Sequence, residues 1–498
     1  MFCMCTIGPA AVARDNGQAS HQVPPQGLEQ INHIIFMAQE NRSFDHYFGA
    51  LRQYWTQNGY PDQSFDGLPQ FNPKKGSPPL YGPPPTNPGC NPAYPPPNDC
   101  TIDGNSPNVT SFKVKTQCTE NTSPSWNESH VDWALDDPTG HSPALLNGFV
   151  YTAAHDARAI GFYDTKGRRA MGYYDGSDLN YYYFMASNFA TSDRWFTPAM
   201  TRTHPNREYM IAATSQGDVY PVGADKKDSH LLTATTIFQE LQAAGISWKI
   251  YVNPVNTGCT GPPYQASCLL QTSYVQYFQW GQTIPTNYPN NIGTIGIANS
   301  DWDNDVANGT LPQVAQIEPA TDAGLDEHPS SSDSSPSKTQ AGASYVASII
   351  NGLMSSTSWQ DSAFILTYDE PGGLYDHVSP QATVNPDGIH PKDLMKGDIC
   401  TKAKGTGPNC NFVYTSYRVP LIVISPFTKE NYISHTVADH TSILKLIETR
   451  FGLAALTKRD AAQMDMTEFF DFANPPWLTP PNTPPQNTGD PCYLNKLP

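Results

Sequence analysis

The stretch Ile31–Leu51, INHIIFMAQENRSFDHYFGAL, decides the fold. Its apolar run from Ile34 to Met37 predicts a strand covered on both faces, the usual pattern of a parallel sheet. Glu40 and Asn41 follow just past the carboxyl end of this strand. Because ligands bind at that edge of open α/β sheets, and because oxygen ligands suit a divalent cation, the pair is a candidate metal site. A solvated turn that begins a helix is the alternative, since Asn and Ser commonly cap helices.

A second apolar run, Ala363–Leu366, ends in the same way, in Asp369 and Glu370. Helix-like spacing over Gln340–Met354 precedes it, and this strand–helix–strand order predicts a mostly parallel sheet flanked by helices, an α/β fold. The two strands would bring three carboxylates to one edge of that sheet. Such carboxylates repel one another unless a cation lies between them. We therefore expect one divalent ion at this edge, with calcium, zinc, magnesium and manganese all left open.

Three motifs in this order resemble the bacterial phospholipase C and acid phosphatase phosphoesterase family, which is related in fold to the alkaline phosphatases. The motifs are ENRSFDHYFG (Glu40–Gly49), THPNR (Thr203–Arg207) and DEPGGLYDHV (Asp369–Val378). The likeness runs from about Ile31 to about Asp460. It implies an alkaline-phosphatase-like fold, and a metal ion held by Glu40, Asn41, Thr203, Asp369 and Glu370.

Thr203 is the candidate nucleophile. Pro205 suits the first turn of a helix, which places Thr203 at a helix N-terminus, where an anion is favoured. On local sequence alone, such a threonine is most often only a cap. The resemblance implies that Thr203 attacks phosphorus, with Asn206 beside it, and that metal contact lowers the pKa of its hydroxyl. Thr201 stands where relatives commonly have Gly, so it remains a second candidate.

Three histidines complete the expected site: His130, His328 and His377. The resemblance implies an active-site role for His130, although alone such a histidine would more often be structural. His328 belongs to a segment similar to the family's Asn-Glu-His-Pro motif, with Asp326 in place of the Asn. These side chains would stabilise phosphoryl oxygens and move protons. Asp376 is expected to orient its neighbour His377.

Composition narrows the partners of the chain. Of 498 residues, 15% are charged, 47 are Pro and 26 are Tyr, which indicates a loop-rich chain. The formal net charge of −17 disfavours nucleic acid or an anionic membrane surface as a bulk electrostatic partner, although it allows a local positive pocket. The sequence contains no run of 18 apolar residues, so no transmembrane helix is expected. The oligomeric state stays open.

Ten cysteines indicate an oxidising compartment, so we expect a secreted or periplasmic protein. Three pairs lie close in loop-like segments and are expected to be bridged: Cys90 with Cys100, Cys259 with Cys268, and Cys400 with Cys410. Cys118 and Cys492 would then be left to pair, and Cys3 and Cys5 lie near the start. Sequence alone does not fix the connectivity.

The chain reads as one phosphoesterase α/β domain over residues 29–470. Segments dense in Pro, Gly and Asn predict irregular, disulfide-pinned insertions at about 58–124 and 253–336. Residues 1–28 form an N-terminal segment, with a remnant of a signal peptide as one interpretation. Residues 471–498 form a Pro-rich tail.

These features together predict a secreted metal-dependent phosphoesterase that works through a phospho-threonine intermediate, of the phospholipase C type on phospholipid phosphodiesters. An acid phosphatase acting on phosphomonoesters is the alternative, because the sequence does not select the substrate. A non-catalytic secreted binding protein is a third hypothesis. The joint presence of Thr203 and the two acidic pairs argues against it, since a binding protein needs no nucleophile.

Overall fold

An eight-stranded sheet forms the centre of the fold. The computed structural model describes residues 26–74, 80–140, 143–222, 230–255, 258–331, 336–401 and 407–497. In chain order, the strands of the sheet are β1 (His33–Gln39), β2 (Ala190–Ser192), β3 (Trp248–Val252), β4 (Ile292–Thr294), β5 (Val314–Ile317), β6 (Ser362–Tyr368), β7 (Leu421–Ile424) and β8 (Tyr432–Ser434). Their order across the sheet is β4-β3-β5-β1-β6-β7-β2-β8. The strands that carry the two predicted acidic pairs, β1 and β6, therefore lie side by side.

Neighbouring strands run parallel except at β7, which is antiparallel to both β6 and β2. β1 pairs with β6 along its whole length, from His33 opposite Ser362 to Gln39 opposite Tyr368. Every residue of β6 is buried, and so is every residue of β1 after His33. Burial on both faces explains the unbroken apolar runs of these strands. The prediction of a mostly parallel α/β sheet is confirmed.

Helices flank the sheet. Within the described residues the α-helices are α1 (Phe44–Phe48), α2 (Leu51–Asn58), α3 (Trp126–Trp133), α4 (Phe149–Ile160), α5 (Asn180–Asn188), α6 (Thr203–Ala212), α7 (Ile237–Ala244), α8 (Ala266–Leu269), α9 (Ile284–Asn287), α10 (Asp301–Asn308), α11 (Thr339–Met354), α12 (Thr441–Phe451) and α13 (Lys458–Ala461). The longest, α11, buries Val346, Ile350 and Leu353 at helical spacing and leads into β6. It thus joins β5 to β6, the two strands on either side of β1.

Residues 253–336 are not an irregular insertion throughout. They contribute β4 and β5 to the central sheet and also form α10. The acidic run that opens α10 is helical because the Ser300 side chain accepts a hydrogen bond from the backbone N–H of Asp303. β4 has only three residues and β5 only four, so neither strand is long enough to show a periodic hydrophobic pattern. In contrast, the described part of residues 59–124 holds only one 3-10 turn, Pro69–Phe71, and strands of two or three residues.

Four disulfides pin the loops and the tail. Cys90 is bonded to Cys100, Cys259 to Cys268, Cys400 to Cys410, and Cys118 to Cys492. The pairings expected from the sequence are present, and the Pro-rich tail is held through Cys492. Cys3 and Cys5 lie outside the described residues. Among the helices of the described ranges, none has the length and apolar character needed to cross a bilayer.

Candidate active site

The carboxyl ends of β1 and β6 bring the predicted acidic groups together. Glu40, Asn41, Asp369 and Glu370 are all buried. The backbone N–H of Asn41 donates to Asp369 Oδ1 at 3.1 Å, and the Asn41 side-chain amide donates to Glu370. Gly372 allows the two turns to approach, because a Cβ at this residue would lie 2.5 Å from the Asn41 carbonyl oxygen. The structure thus joins groups that are more than three hundred residues apart in sequence.

Arg207 is a buried cation within this acidic group. Its Nη2 lies 2.8 Å from Glu40 Oε1, and its Nε lies 3.3 Å from Asp369 Oδ2. Its Nη1 lies 3.9 Å from Glu318 Oε2, and Glu318 directly follows β5, the strand on the other side of β1. One guanidinium therefore faces carboxylates from three adjacent strands. Arg207 belongs to the THPNR motif but had no predicted role of its own, and Glu318 was not predicted.

The charges of the group are incompletely balanced. Burial raises the pKa of Glu40 well above its ordinary value, and the neighbouring Asp369 raises it further. Burial and the carboxylates of Asp369 and Glu40 likewise raise the pKa of Glu370. Arg207 opposes both shifts, but one cation does not offset so many buried carboxylates.

Two oxygen atoms of the group have no internal partner. Asn41 Oδ1 and Glu370 Oε2 are buried, and neither has a hydrogen-bond partner among the described residues. Buried polar atoms are rarely left unpaired, and each specific exception calls for an explanation. Carboxylate and amide oxygens are ligands of hard divalent cations. The donor set therefore fits a divalent metal ion.

Thr203 is the first residue of α6, the helix that also carries Arg207. It is half-buried, and the side chain of Arg202 at the N-cap makes no capping bond. Asn206 fixes the preceding loop, since its Oδ1 accepts from Ala199 N at 3.0 Å and its Nδ2 donates to the Thr201 carbonyl at 2.8 Å. The N-terminus of α6 is thus held in a defined position close to the acidic group that Arg207 contacts.

Thr201, the second candidate nucleophile, has a different environment. Its side chain is fully buried. Its hydroxyl donates to the Val219 carbonyl oxygen at 2.5 Å. Because this hydrogen bond occupies the proton of the hydroxyl, the geometry favours Thr203 over Thr201.

His328 lies at the same edge of the sheet. The carbonyl of Asp326, two residues before it, accepts a hydrogen bond from Glu40 N at 2.9 Å. Asp326 Oδ1 accepts from His328 N at 3.1 Å, and the imidazole is half-buried. His328 is therefore next to a segment that contacts the acidic group directly. The intervening Glu327 is turned into the core, where its carboxylate accepts hydrogen bonds from the hydroxyls of Tyr47, Tyr182 and Tyr368.

His130 is enclosed by backbone carbonyls and by the ring of Trp126, which packs in one cluster with Ala199 and Tyr209. It lies on α3, and its ring nitrogens face the carbonyls of Trp126 at 2.6 Å and Asn409 at 3.3 Å. It also lies within 4.8 Å of the sulfur atoms of Cys400 and Cys410, which bond to each other and so are not metal ligands. Burial lowers the pKa of its imidazole to about 4. These contacts occupy both ring nitrogens, and the role of His130 in the site stays a prediction.

His377 is held by carboxylates, but not by Asp376. Its Nδ1 lies 2.7 Å from Asp45 Oδ2, and its Nε2 lies 3.2 Å from Asp66 Oδ1. Burial alone would lower the pKa of His377, yet Asp45 and Asp66 raise it to about 9. Asp376 instead pairs with Arg418, at 2.6 Å. The predicted orienting role therefore passes from Asp376 to Asp45, which belongs to the ENRSFDHYFG motif but had no predicted role of its own.

A metal ion is not needed at this second cluster. The ligand atoms of Asp45, Asp376 and His377 lie within 4.8 Å of one another. However, Arg418 Nη2 lies 2.6 Å from Asp376 Oδ1 and 3.3 Å from Asp45 Oδ1. Since this guanidinium already balances the carboxylates, we assign the cluster a structural role.

His440 is a further candidate at the edge of the sheet. It is fully buried at the N-cap of α12, and its imidazole faces the backbone of Tyr368, the last residue of β6. Burial lowers the pKa of its imidazole to about 4, although the carboxylates of Asp439 and Asp369 act in the opposite direction. Because Tyr368 directly precedes Asp369, His440 lies next to the acidic group. The only sequence signal was its position after a buried strand.

A cavity of about 180 Å³ opens beside the N-terminus of α6. His204, the residue after Thr203, lines it together with Tyr274 and Tyr277. The rings of these tyrosines lie 5.1 and 4.6 Å from the imidazole ring. The guanidinium of Arg207 lies 4.7 Å from the ring centroid of Tyr274. Tyr274 thus contributes to the wall of the cavity and also contacts the cation of the acidic group.

The chain resembles phospholipases C of bacteria and plants. Phospholipase C B of Mycobacterium tuberculosis is 29% identical over 490 residues, covering 95% of this chain and 83% of the relative. Non-hemolytic phospholipase C of Pseudomonas aeruginosa is 26% identical, covering 94% and 61%, and non-specific phospholipase C4 of Arabidopsis thaliana is 27% identical, covering 87% and 71%. Among solved structures, a protein in the alkaline phosphatase superfamily from Vibrio parahaemolyticus is 10% identical, with a TM-score of 0.33, and covers 58% of this chain and 66% of its own.

A family model for the whole domain also matches. The model, described as the Phosphoesterase family, covers residues 31–454. This range contains all three motifs and every candidate site residue described above. Because the match spans most of its length, the chain belongs to the Phosphoesterase family.

Proposed function

We propose that this ester hydrolase is a secreted phospholipase C that uses Thr203 as its nucleophile and depends on one divalent metal ion. The observation that carries the proposal is the meeting of four oxygen-bearing side chains beside the helix that begins with Thr203. These side chains are Glu40, Asn41, Asp369 and Glu370. The names of the relatives support the choice of a phospholipid phosphodiester. Four disulfides support a location outside the cytosol.

In the first step, Thr203 Oγ1 attacks phosphorus and forms a phospho-threonine ester, while the bond from phosphorus to the glycerol oxygen breaks. The hydroxyl proton leaves Thr203, and the departing diacylglycerol oxygen takes up a proton. His328, half-buried at the same edge, is our candidate for carrying that proton. A divalent ion held by Glu40, Asn41, Asp369, Glu370 and Thr203 would lower the pKa of the attacking hydroxyl.

In the second step, water hydrolyses the phospho-threonine ester and releases the phosphorylated head group. A phosphoryl group on Thr203 would lie at the N-terminus of α6, where the helix dipole would stabilise its negative charge. Arg207 keeps α6 in position by its ion pairs with Glu40 and Asp369. The cavity beside His204 lies next to the nucleophile and is our candidate for the approach of the substrate.

The test combines substrates, a chelator and a trapped intermediate. Purified protein would be assayed on para-nitrophenyl phosphorylcholine and para-nitrophenyl phosphate, with and without EDTA. We expect the diester to be hydrolysed faster, activity to be lost in EDTA, and mass spectrometry after an acid quench to locate phosphate on the peptide that contains Thr203. Preferred hydrolysis of the monoester would instead indicate an acid phosphatase. Full activity in Thr203→Ala would refute the proposed mechanism.

A further inference from the structure

A second cavity, of about 660 Å³, lies in the insertion closed by the Cys90–Cys100 disulfide. Its walls come from this loop, from residues 107–112, from the last turn of α4, and from the segment that follows α4. Three cations line it: Arg158, Lys166 and Arg168. No residue of the candidate active site takes part. The cavity is therefore a separate feature of the molecule.

The charge of this cavity is opposite to that of the chain. The sequence has 46 acidic and 29 basic residues, for a net charge of −17. None of the described residues that line the cavity is acidic. An acid-free wall with three cations creates a local positive potential, which attracts an anion. The charge thus selects the kind of partner.

The remaining walls are largely apolar. They include Tyr94, Val109, Phe112 and several prolines, among them Pro92. The volume falls within the range of about 300–1,000 Å³ that is usual for small-molecule sites. An anion that lacked an apolar part would leave these side chains uncovered. The cavity therefore fits a molecule with both an anionic head and an apolar body.

Internal bonds hold the walls in place before any ligand binds. Arg158 Nη1 donates to the carbonyls of Tyr94 at 3.1 Å and Asn98 at 2.7 Å, and its Nε donates to the Thr165 carbonyl at 2.8 Å. This side chain ties the disulfide loop to the segment after α4. The guanidinium of Arg168 lies 5.5 Å from the ring centroid of Phe112, which links this cation to the wall formed by residues 107–112. A preorganised cavity loses little entropy when a ligand binds.

We propose that this cavity binds one anionic amphiphile, an alkyl chain that carries a phosphate or phosphonate head. Lys166, which is exposed at the rim, and Arg168 contact the head. Tyr94, which is 44% exposed, and Phe112 cover the chain. The site does not depend on the chemistry at Thr203. The ligand is either a free amphiphile or a phospholipid taken from a bilayer.

The test measures binding of dodecylphosphonate, which has no ester bond to hydrolyse, to the full-length protein by calorimetry below its critical micelle concentration. We expect Lys166→Glu combined with Arg168→Glu to weaken binding by about tenfold or more at low ionic strength. The matched control is Lys396→Glu combined with Lys458→Glu, since both lysines are exposed and lie outside the cavity. It should bind like the wild type. Methylphosphonate, which has the head alone, should bind far more weakly.

Two further measurements keep the outcomes separate. Turnover of a para-nitrophenyl substrate should be unchanged by the Lys166 and Arg168 reversals, which shows that the variant is folded and that this site is distinct. Flotation with phosphatidylglycerol vesicles, using Thr203→Ala to prevent hydrolysis, distinguishes a bilayer source from a free amphiphile. Absence of dodecylphosphonate binding, or equal weakening by both pairs of reversals, overturns the proposal, whatever the activity assays show.

Discussion

Asp369→Asn tests whether the acidic group is a metal site. The substitution preserves the shape of the side chain and removes one negative charge. Asp369 Oδ1 accepts from Asn41 N, and Oδ2 lies 3.3 Å from Arg207 Nε. An asparagine can keep only one of these oxygen contacts. As a ligand, it also replaces a charged oxygen with a neutral one.

The expected effect on stability differs between the metal-free and metal-loaded protein. Without metal, the variant loses the attraction of Arg207 but also loses repulsion from Glu40 and Glu370, so we expect a change in unfolding free energy below about 2 kcal/mol. Loss of a charged ligand should weaken metal binding by at least about a hundredfold, because losing even an outer-shell partner can weaken it by up to about that factor. With metal at a hundred times the wild-type Kd, the wild type gains about 2.7 kcal/mol and the variant only about 0.4 kcal/mol.

The assay is denaturant unfolding with and without added metal, together with metal content by elemental analysis and the rate on para-nitrophenyl phosphorylcholine. Asp376→Asn is the matched control, because this aspartate is also buried and bonded to an arginine, Arg418. It should cost stability equally with and without metal, and it should leave metal content unchanged. Wild-type metal content and rate in Asp369→Asn would refute the metal-site assignment.

Three other outcomes are expected. Thr203→Ala should abolish turnover with little change in stability. Thr201→Val should lower the unfolding free energy by about 1–3 kcal/mol, because a buried hydrogen bond is lost, and should keep the turnover per folded molecule. Kinetic assays and unfolding curves check both outcomes. Asp45 and Asp66 raise the pKa of His377 to about 9 against the effect of burial. The stability that this shift contributes is therefore complete below about pH 6.5 and is lost as the pH rises through 9. His377→Gln should remove that decline of up to about 3 kcal/mol in unfolding measurements across this range, and an unchanged pH profile would contradict the assignment. Replacing Cys118 and Cys492 with serine should destabilise the fold by about 2–5 kcal/mol and make the tail sensitive to limited proteolysis, without changing metal content.

The sequence was informative where strands are buried on both faces. The apolar runs of β1 and β6 are continuous because neither strand has a solvent face, so their ends, and the groups at Glu40 and Asp369, could be located. β5 escaped detection because it has only four residues, one of them Gln316, and Glu318 at its end was missed with it. Short strands draw their stability from neighbours in the sheet, and this dependence leaves no local pattern.

Side-chain partners were predicted less well than strand ends. Adjacency in sequence suggested that Asp376 orients His377, but a local motif does not show which of several clustered carboxylates bonds to the ring. Asp376 is bonded to Arg418, and the orienting carboxylate is Asp45, more than three hundred residues earlier. The position of His130 against the Cys400–Cys410 disulfide likewise depends on how distant loops pack. Such pairings are fixed by the tertiary fold, which no local motif encodes.

Arg207 shows how the nucleophile and the acidic group depend on each other. Thr203 and Arg207 are four residues apart on α6, so they lie on one face of the helix. The ion pairs of Arg207 with Glu40 and Asp369 therefore set the position of Thr203 relative to the ends of β1 and β6. This single positive charge does not balance the carboxylates from three strands. The buried oxygens of Asn41 and Glu370 also have no hydrogen-bond partner among the described residues. A divalent cation bound there would complete the charge balance, and under our proposal it would also contact the hydroxyl of Thr203, one helical turn from Arg207.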